Sequence, residues 1–407
     1  MSARFGVRRH NALAIETGPA SSNPQFSAIR LPGQTGTVAR RPTLKTMQRR
    51  LNRREFTRTL AVAGVVLAAA PGLAQTASRK TKLGFDNFSV RAFGWKAPQL
   101  IDYAASLKLD SLFITNLDAL ESFEEPYLRE VKARAKDKGI DLLLGSWSIC
   151  PTSKNFRNTW GTAEEHLTLG IRLAQALGSP VFRCVLGSRD DRKSDGGIEK
   201  RIEDTAQVCR ALRNRAVDAG VKIAIENHAG DMQAWELITL IEAAGKDYVG
   251  VTFDSGNVTW TLEDPIASLE KLAPYVACTH IRDSMIWESD SGAKVAWTAI
   301  GEGCTDSKAF FARLAELCPG VGVHAEIISG FSIDFPYLQP DFWDVWPKAS
   351  GAEFARFLSL AKKGQAIPAF RPADGQDRRL AEQEYQKAEL ERSLRYCKDV
   401  IGLGTQA

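Results

Sequence analysis

Four short segments of the chain each deliver a side chain that a divalent cation accepts. IAIENHAG carries Glu226, VTFDSGN carries Asp254, CTHIRD carries His280 and VHAEI carries Glu326. Singly these are weak signals, because a carboxylate at the end of a strand more often pairs with a basic side chain or caps the next helix. Together, three carboxylates and one imidazole make a hard, oxygen-rich donor set with a charge of −3, suited to one Mn2+, Mg2+, Co2+ or Zn2+. A cation also relieves the repulsion among the acids. His228 follows Glu226 by two positions, the side-chain repeat of a strand, and reads equally as a substrate contact or as an imidazole that orients a carboxylate. Asn257 lies three positions past Asp254, and Arg282 and Asp283 directly follow Ile281, one of them a substrate contact and the other an ion-pair partner. Arg183 in VFRCV and Trp147 in LGSWS complete the candidates for a substrate pocket.

Such residues need a scaffold that brings distant segments to one place. Short β-like runs recur at 82–88, 111–115, 141–146, 181–186, 222–227, 248–254, 276–281 and 321–327. Most are continuously apolar and flanked by Gly or polar residues, as parallel strands buried on both faces are. Helical patterns lie between them, at 97–107, 163–177, 200–219, 235–244 and 307–318. Eight alternating units predict a (β/α)8 TIM barrel in a single domain, residues 78–365. An open doubly wound sheet would need a Gly-rich phosphate turn after the first strand, and GFDNFS is not one. In a barrel the C-terminal ends of all strands share one face, so Glu226, Asp254, His280 and Glu326 would meet there. Residues 331–347, FSIDFPYLQPDFWDVWP, read either as an aromatic wall for the apolar faces of a sugar or as a cover for the barrel or a subunit contact. The last segment, 366–407, reads as a helical extension whose polar helix at 378–399 is a solvated cap or a subunit contact.

At its ENH, DSGN, HIRD and AE motifs the chain resembles the xylose isomerase-like TIM barrels, the sugar phosphate isomerase/epimerase superfamily, over residues 80–365. The resemblance implies one divalent metal held by Glu226, Asp254, His280 and Glu326. It also implies an acid/base role for Glu226 and Glu326, on opposite sides of a ketose. A metal chelated by a carbonyl and its neighbouring hydroxyl acidifies the C–H between them and stabilises an enediolate. Asn257 departs from the histidine that some ketose epimerases carry there. The Gly301–Gly303 turn resembles the family's glycine-containing turn, and without a nearby Lys or Ser it reads as a tight turn and not as a phosphate cradle. The expected activity is therefore isomerisation or epimerisation of an unphosphorylated sugar or sugar derivative. One alternative is a metal-dependent lyase or hydratase acting on a 3-keto sugar or glycoside. Another is a non-catalytic exported sugar-binding protein, whose mark would be loss of a ligand carboxylate. The superfamily's three-zinc nucleases use more histidines than the four, His166, His228, His280 and His324, that follow residue 80.

Charge and composition bear on partners and address. Residues 1–74 hold twelve basic and two acidic side chains, which leaves 41 basic and 46 acidic in residues 75–407. A net-acidic body argues against nucleic-acid binding. Residues 1–46, rich in Ser, Thr, Pro, Gly and Arg, read as disordered, with Met47 as the expected start codon. Residues 47–77 follow signal-peptide order: a basic start, a short apolar run and small residues at Gly72–Ala74, the first choice for cleavage, with Ala77 as the second. Asn52-Arg53-Arg54-Glu55-Phe56 resembles the twin-arginine (Tat) signal, with Asn52 where Ser or Thr is commoner. The expectation is passage through the Tat translocase to the periplasm, no permanent membrane anchor, a small-molecule carbohydrate as substrate, and a homo-oligomer left open. The seven cysteines show no CxxC spacing and read as core thiols.

Overall fold

Strands that are apolar on both faces satisfy their backbone groups by pairing with one another, and parallel pairing requires a crossover between successive strands. The computed structural model describes residues 80–406. There the eight runs become β1 (Leu83–Asp86), β2 (Ser111–Ile114), β3 (Asp141–Ser148), β4 (Val181–Val185), β5 (Lys222–Glu226), β6 (Val249–Asp254), β7 (Val276–His280) and, further along, β10 (Val323–Ala325). Their order is β10-β1-β2-β3-β4-β5-β6-β7, parallel throughout. A parallel bridge between Ile281 and Ala325 joins the two ends. There the Ile281 amide donates to the His324 carbonyl at 2.8 Å and the Glu326 amide to the Ile281 carbonyl at 3.0 Å. The result is the (β/α)8 barrel that the alternating runs predict.

Inside the barrel, Phe113, Val181, Ala224 and Cys278 pack into an apolar plug. Two residues further along come Thr115, just past the end of β2, and Arg183, Glu226 and His280 on their strands. The strand period of two thus stacks a polar layer directly on an apolar one. Outside, the helix Ala163–Leu177 shows how the crossovers are held. Thr162 and Glu165 cap each other's backbone amides, and Gly178 ends the helix at φ 82°, a left-handed turn that suits glycine.

The chain departs from the simple repeat after β7. β8 (Asp283–Ser289) and β9 (Gly292–Thr298) form a hairpin, and β11 (Ile333–Phe335) adds to β9, giving a small antiparallel sheet. Its inner face builds a second core of Leu262, Ile286, Val295, Phe335 and Phe357, with Tyr337, Phe342, Trp343 and Phe354 packed around it. Most of the aromatic stretch 331–347 is thereby a cover for this core. Phe331 lies apart from this core, edge-on to Trp297 at 5.7 Å. The C-terminal helix Arg378–Tyr396 is also more than a solvated appendage, since it packs on the turn Asn87–Phe93 that follows β1.

All seven cysteines are free thiols, six of them buried and Cys304 half-buried. Among the described residues no helix is long and apolar enough to cross a membrane. The expected disordered segment 1–46, Met47, and the signal segment 47–77 with Arg53, Arg54 and Phe56 lie outside the described residues.

Candidate metal centre

Glu226, Asp254 and His280 end β5, β6 and β7, and Glu326 directly follows β10, so four strands deliver one donor each to the same end of the barrel. The register sets Asp254 opposite His280. One donor atom from each of the four residues lies within 4.8 Å of the others, and all four residues are buried. His280 Nδ1 is 2.8 Å from Glu226 Oε2 and 3.7 Å from Glu326 Oε2.

Two arginines compensate the acids. Arg183 Nε donates to Glu226 Oε2 at 2.5 Å, and its Nη1 donates to the Ser146 carbonyl at 2.6 Å. Nη2 of Arg282 bridges Asp254 Oδ2 and Glu326 Oε2, while its guanidinium lies 4.2 Å from the centre of the Trp297 ring, itself stacked on Trp260. Glycines make room for both. A Cβ on Gly145 would fall 2.9 Å from Arg183 Cβ, and one on Gly256 would collide with the Arg282 stem. Asp254 caps the turn after β6, accepting from the Gly256 and Asn257 amides at 2.8 and 2.9 Å. Asn257 Nδ2 then donates to Asp254 Oδ2 at 2.8 Å and to Glu226 Oε1 at 3.3 Å, locking two donors together.

These contacts set the protonation states. Burial pushes the carboxyl of Asp254 up to about 7 against the pull of Arg282. Burial likewise opposes ionisation of Glu226 and Glu326, yet Arg183 and His280 hold Glu226 well below the usual carboxylate range, and Arg282 and His280 hold Glu326 below it. For His280 burial acts downward, but Glu326 and Glu226 outweigh it and lift the imidazole to about 9. The donor set is hard, closely spaced and already draws cationic groups, so the residues present fit a single divalent ion.

The centre opens into a cavity of about 460 Å³. Glu326, Arg183, Arg282 and Asn257 line it, with Trp147, Trp160, Trp260, Trp297 and Phe88 as its aromatic walls. His228 meets Trp147 edge-to-face at 5.2 Å. Its Nδ1 is 2.6 Å from the Gly187 carbonyl, which only accepts, so Nδ1 carries a proton; burial lowers the pKa of the ring and favours its neutral form, in which Nε2 is bare. Asp283 is placed differently. It does not line the cavity, and its carboxylate accepts from the Ser284 and Gly303 amides at 2.8 and 3.0 Å, closing the turn that contains Gly301 and Gly303. Reasoning from sequence missed Asp86, at the end of β1 and 3.5 Å from His280 Nε2, although it sits at a strand end like the other acids. It also missed Phe88, Arg157, Trp160, Trp260 and Trp297 as cavity residues; Trp297 lies on a hairpin that the eightfold repeat does not contain.

Residues 101–330, more than half of the chain, match the family described as Xylose isomerase-like TIM barrel. This chain belongs to that family. Within the xylose isomerase-like barrels its curated relatives are distant. It is 25% identical over 148 residues to Uncharacterized protein YihM of Escherichia coli (strain K12), a match covering 36% of this chain and 44% of that protein. It is 23% identical over 205 residues to 3-oxo-isoapionate decarboxylase of Pectobacterium atrosepticum, covering 48% and 67% respectively. Among solved structures it shares the fold of D-psicose 3-epimerase crystallised in the presence of D-fructose. There the TM-score is 0.53 at 15% identity, over 79% of this chain and 99% of that one.

Proposed function

We propose that this xylose isomerase-like barrel is a divalent-metal-dependent isomerase or epimerase of an unphosphorylated sugar or sugar derivative. The observation that carries the reading is the buried cluster of Glu226, Asp254, His280 and Glu326, donor atoms within 4.8 Å, bordering an aromatic-walled cavity. A divalent cation held by these four residues supplies Lewis-acid polarisation of a carbonyl and its neighbouring hydroxyl. The protein supplies the rest. Arg183 and Arg282 keep Glu226 and Glu326 ionised, so each arrives able to take a proton from the hydroxyl-bearing carbon beside the carbonyl. The C–H electrons pass into a carbon–carbon double bond and give an enediolate, and the carboxyl on the opposite side returns a proton. Return to the same carbon inverts it; return to its neighbour moves the carbonyl. Asn257 holds Glu226 and Asp254 in fixed relation, and the tryptophans suit the apolar faces of a sugar. Both buried arginines are committed to carboxylates, leaving only the exposed Arg157 among the arginines of the cavity. That distribution supports an unphosphorylated substrate.

A second reading, lyase or hydratase on a 3-keto sugar or glycoside, is favoured by the size of the cavity. A hexose displacing the volume of about six waters, at ~30 Å³ each, takes about 180 Å³, well under the 460 Å³ present. The remaining space accommodates a leaving group next to the enolate carbon. The relative whose name is 3-oxo-isoapionate decarboxylase is consistent with bond cleavage beside a carbonyl. Solvent exchange followed by NMR in D2O, with Mn2+ added and free ketoses and 3-keto sugars as substrates, tests the common step. Deuterium should enter one carbon position, and Glu226→Gln and Glu326→Gln should each slow entry by about 10³-fold or more. Undiminished exchange in both variants would sink the assignment, while release of a leaving group would select the second reading. We further propose export to the periplasm through the Tat translocase, supported by the sequence around Arg53 and Arg54.

A further inference from the structure

Each donor of the cluster is held by what its outer side touches, and His280 is the exception. Glu226 is clamped by Arg183, Asp254 by Asn257 and two backbone amides, and Glu326 by Arg282. The His280 ring turns Nδ1 to Glu226 and packs against the edge of Phe113 at 4.7 Å. Its Nε2 is buried and makes no hydrogen bond, yet it lies 3.5 Å from Asp86 Oδ2. Asp86 is fully buried at the end of β1, and among the described residues it has no Lys or Arg partner. It is held by neutral donors: Phe88 N–H to Oδ1 and the Thr115 hydroxyl to Oδ2, both at 2.7 Å. A buried carboxylate without a basic partner is costly, and the group that gives this one a purpose is the imidazole beside it.

We propose that Asp86 is a positioning residue of the metal centre, accepting the Nε2–H of His280 and so fixing the ring and the tautomer that present a bare Nδ1 to a cation. The inference rests on the metal-dependent reading above. Its physical basis is that an imidazole can ligate through only one nitrogen when the other keeps its proton. An anionic acceptor on Nε2 decides which nitrogen that is and makes Nδ1 a stronger donor. Thr115 belongs to the same device, because its hydroxyl holds the Asp86 oxygen that faces the ring.

Asp86→Asn separates this role from a structural one. Its side-chain oxygen keeps the cap on Phe88 N–H and its NH2 faces Nε2, so the turn survives while the acceptor is lost. With the purified full chain stripped by a chelator, titration calorimetry with Mn2+ and with Zn2+ should show Kd raised about 10- to 100-fold. The melting temperature of the stripped protein should not fall, since one acid has left a crowded cluster. Thr115→Val should move Kd the same way by less. In a His280→Gln background Asp86→Asn should have no further effect, because it acts through the imidazole. An unchanged Kd in Asp86→Asn, a loss that persists in the His280→Gln background, or a melting temperature that drops in step with affinity would each overturn the proposal. If the wild-type chain itself binds neither metal, the metal-dependent reading falls and this one with it. If the wild type binds and Asp86→Asn binds as well, this one falls alone.

Discussion

His166 and His324 each make stability sensitive to acid because both are buried as neutral rings. His166 Nε2 is 2.8 Å from the Ser146 hydroxyl, and His324 Nε2 is 3.0 Å from that of Ser111. Burial lowers them to about 4 and about 3, whereas an unfolded histidine titrates near 6.5. Between those values the unfolded chain binds more protons, so stability present above pH 6.5 drains away as pH falls toward 4 and then 3. Each ring should account for about 2 kcal/mol of loss by pH 5. Burial raises the carboxyls of Asp231 and Glu263 to about 8 and about 7, and these act in the opposite sense, so the histidine contribution is read as a difference between proteins. In urea titrations at pH 7 and pH 5, His166→Gln should lose about 2 kcal/mol less than the wild type over that interval; an identical pH response in the two proteins would reject the assignment. The same attention to what a side chain touches shows which site residues were legible in the sequence. Glu226, Asp254, His280 and Glu326 end apolar runs in a repeating architecture, so position in the fold follows from position in the run. Asp86 gave the same signal in GFDNFS, where the search was for a phosphate turn. Asp283 was unreadable because the turn of Gly301 and Gly303 is joined to it through contacts twenty residues away.

Elements that repeat were read nearly to their ends, and elements that break the repeat were not. The helix at 163–177 is observed as Ala163–Leu177, and the run at 181–186 as Val181–Val185, because period and flanking glycines mark both. The β8–β9 hairpin was hidden by the expectation of a helix after every strand, although SDSG at 289–292 is hairpin-turn sequence. The helix Arg378–Tyr396 was legible as a helix, and what its polar composition hid was its packing role. Its buried stripe is short, and its work is done by hydrogen bonds. Gln386 accepts from the Ala92 amide at 2.9 Å, Ser393 from the Ile300 amide at 3.1 Å, and Glu389 from the Ser329 hydroxyl at 2.6 Å. One helix thus ties together the loops that follow β1, β9 and β10, at the end of the barrel where the candidate centre lies. Leu390, fully buried at its middle, is the test. Leu390→Ala should cost about 2–5 kcal/mol in urea unfolding, where an exposed-cap reading would have it cost under ~0.5 kcal/mol.

At the scale of the whole molecule, charge and thiols bear on the route proposed for it. The basic excess lies in residues 1–74, the body is net acidic, and all seven cysteines are free. A protein that folds in an oxidising compartment ordinarily uses such cysteines as cross-links. Here burial raises Cys184 well above its usual range and pushes Cys209, Cys278 and Cys397 up to about 12, so these thiols stay protonated and unreactive. That pattern suits a chain that completes its fold before it meets an oxidising environment. The proposed Tat route, which carries folded proteins, fits that order of events, and under that proposal export depends on Arg53 with Arg54. Replacing both by Lys preserves charge and apolar length, so a general signal peptide would still deliver the protein. Under the Tat proposal the double variant should instead remain in the cytoplasm, full-length and already carrying about one divalent ion per chain by elemental mass spectrometry. Delivery of the double variant to the periplasm at the normal level would reject the route. Retention of a metal-free chain would separate export from metal loading and place the second event after the first.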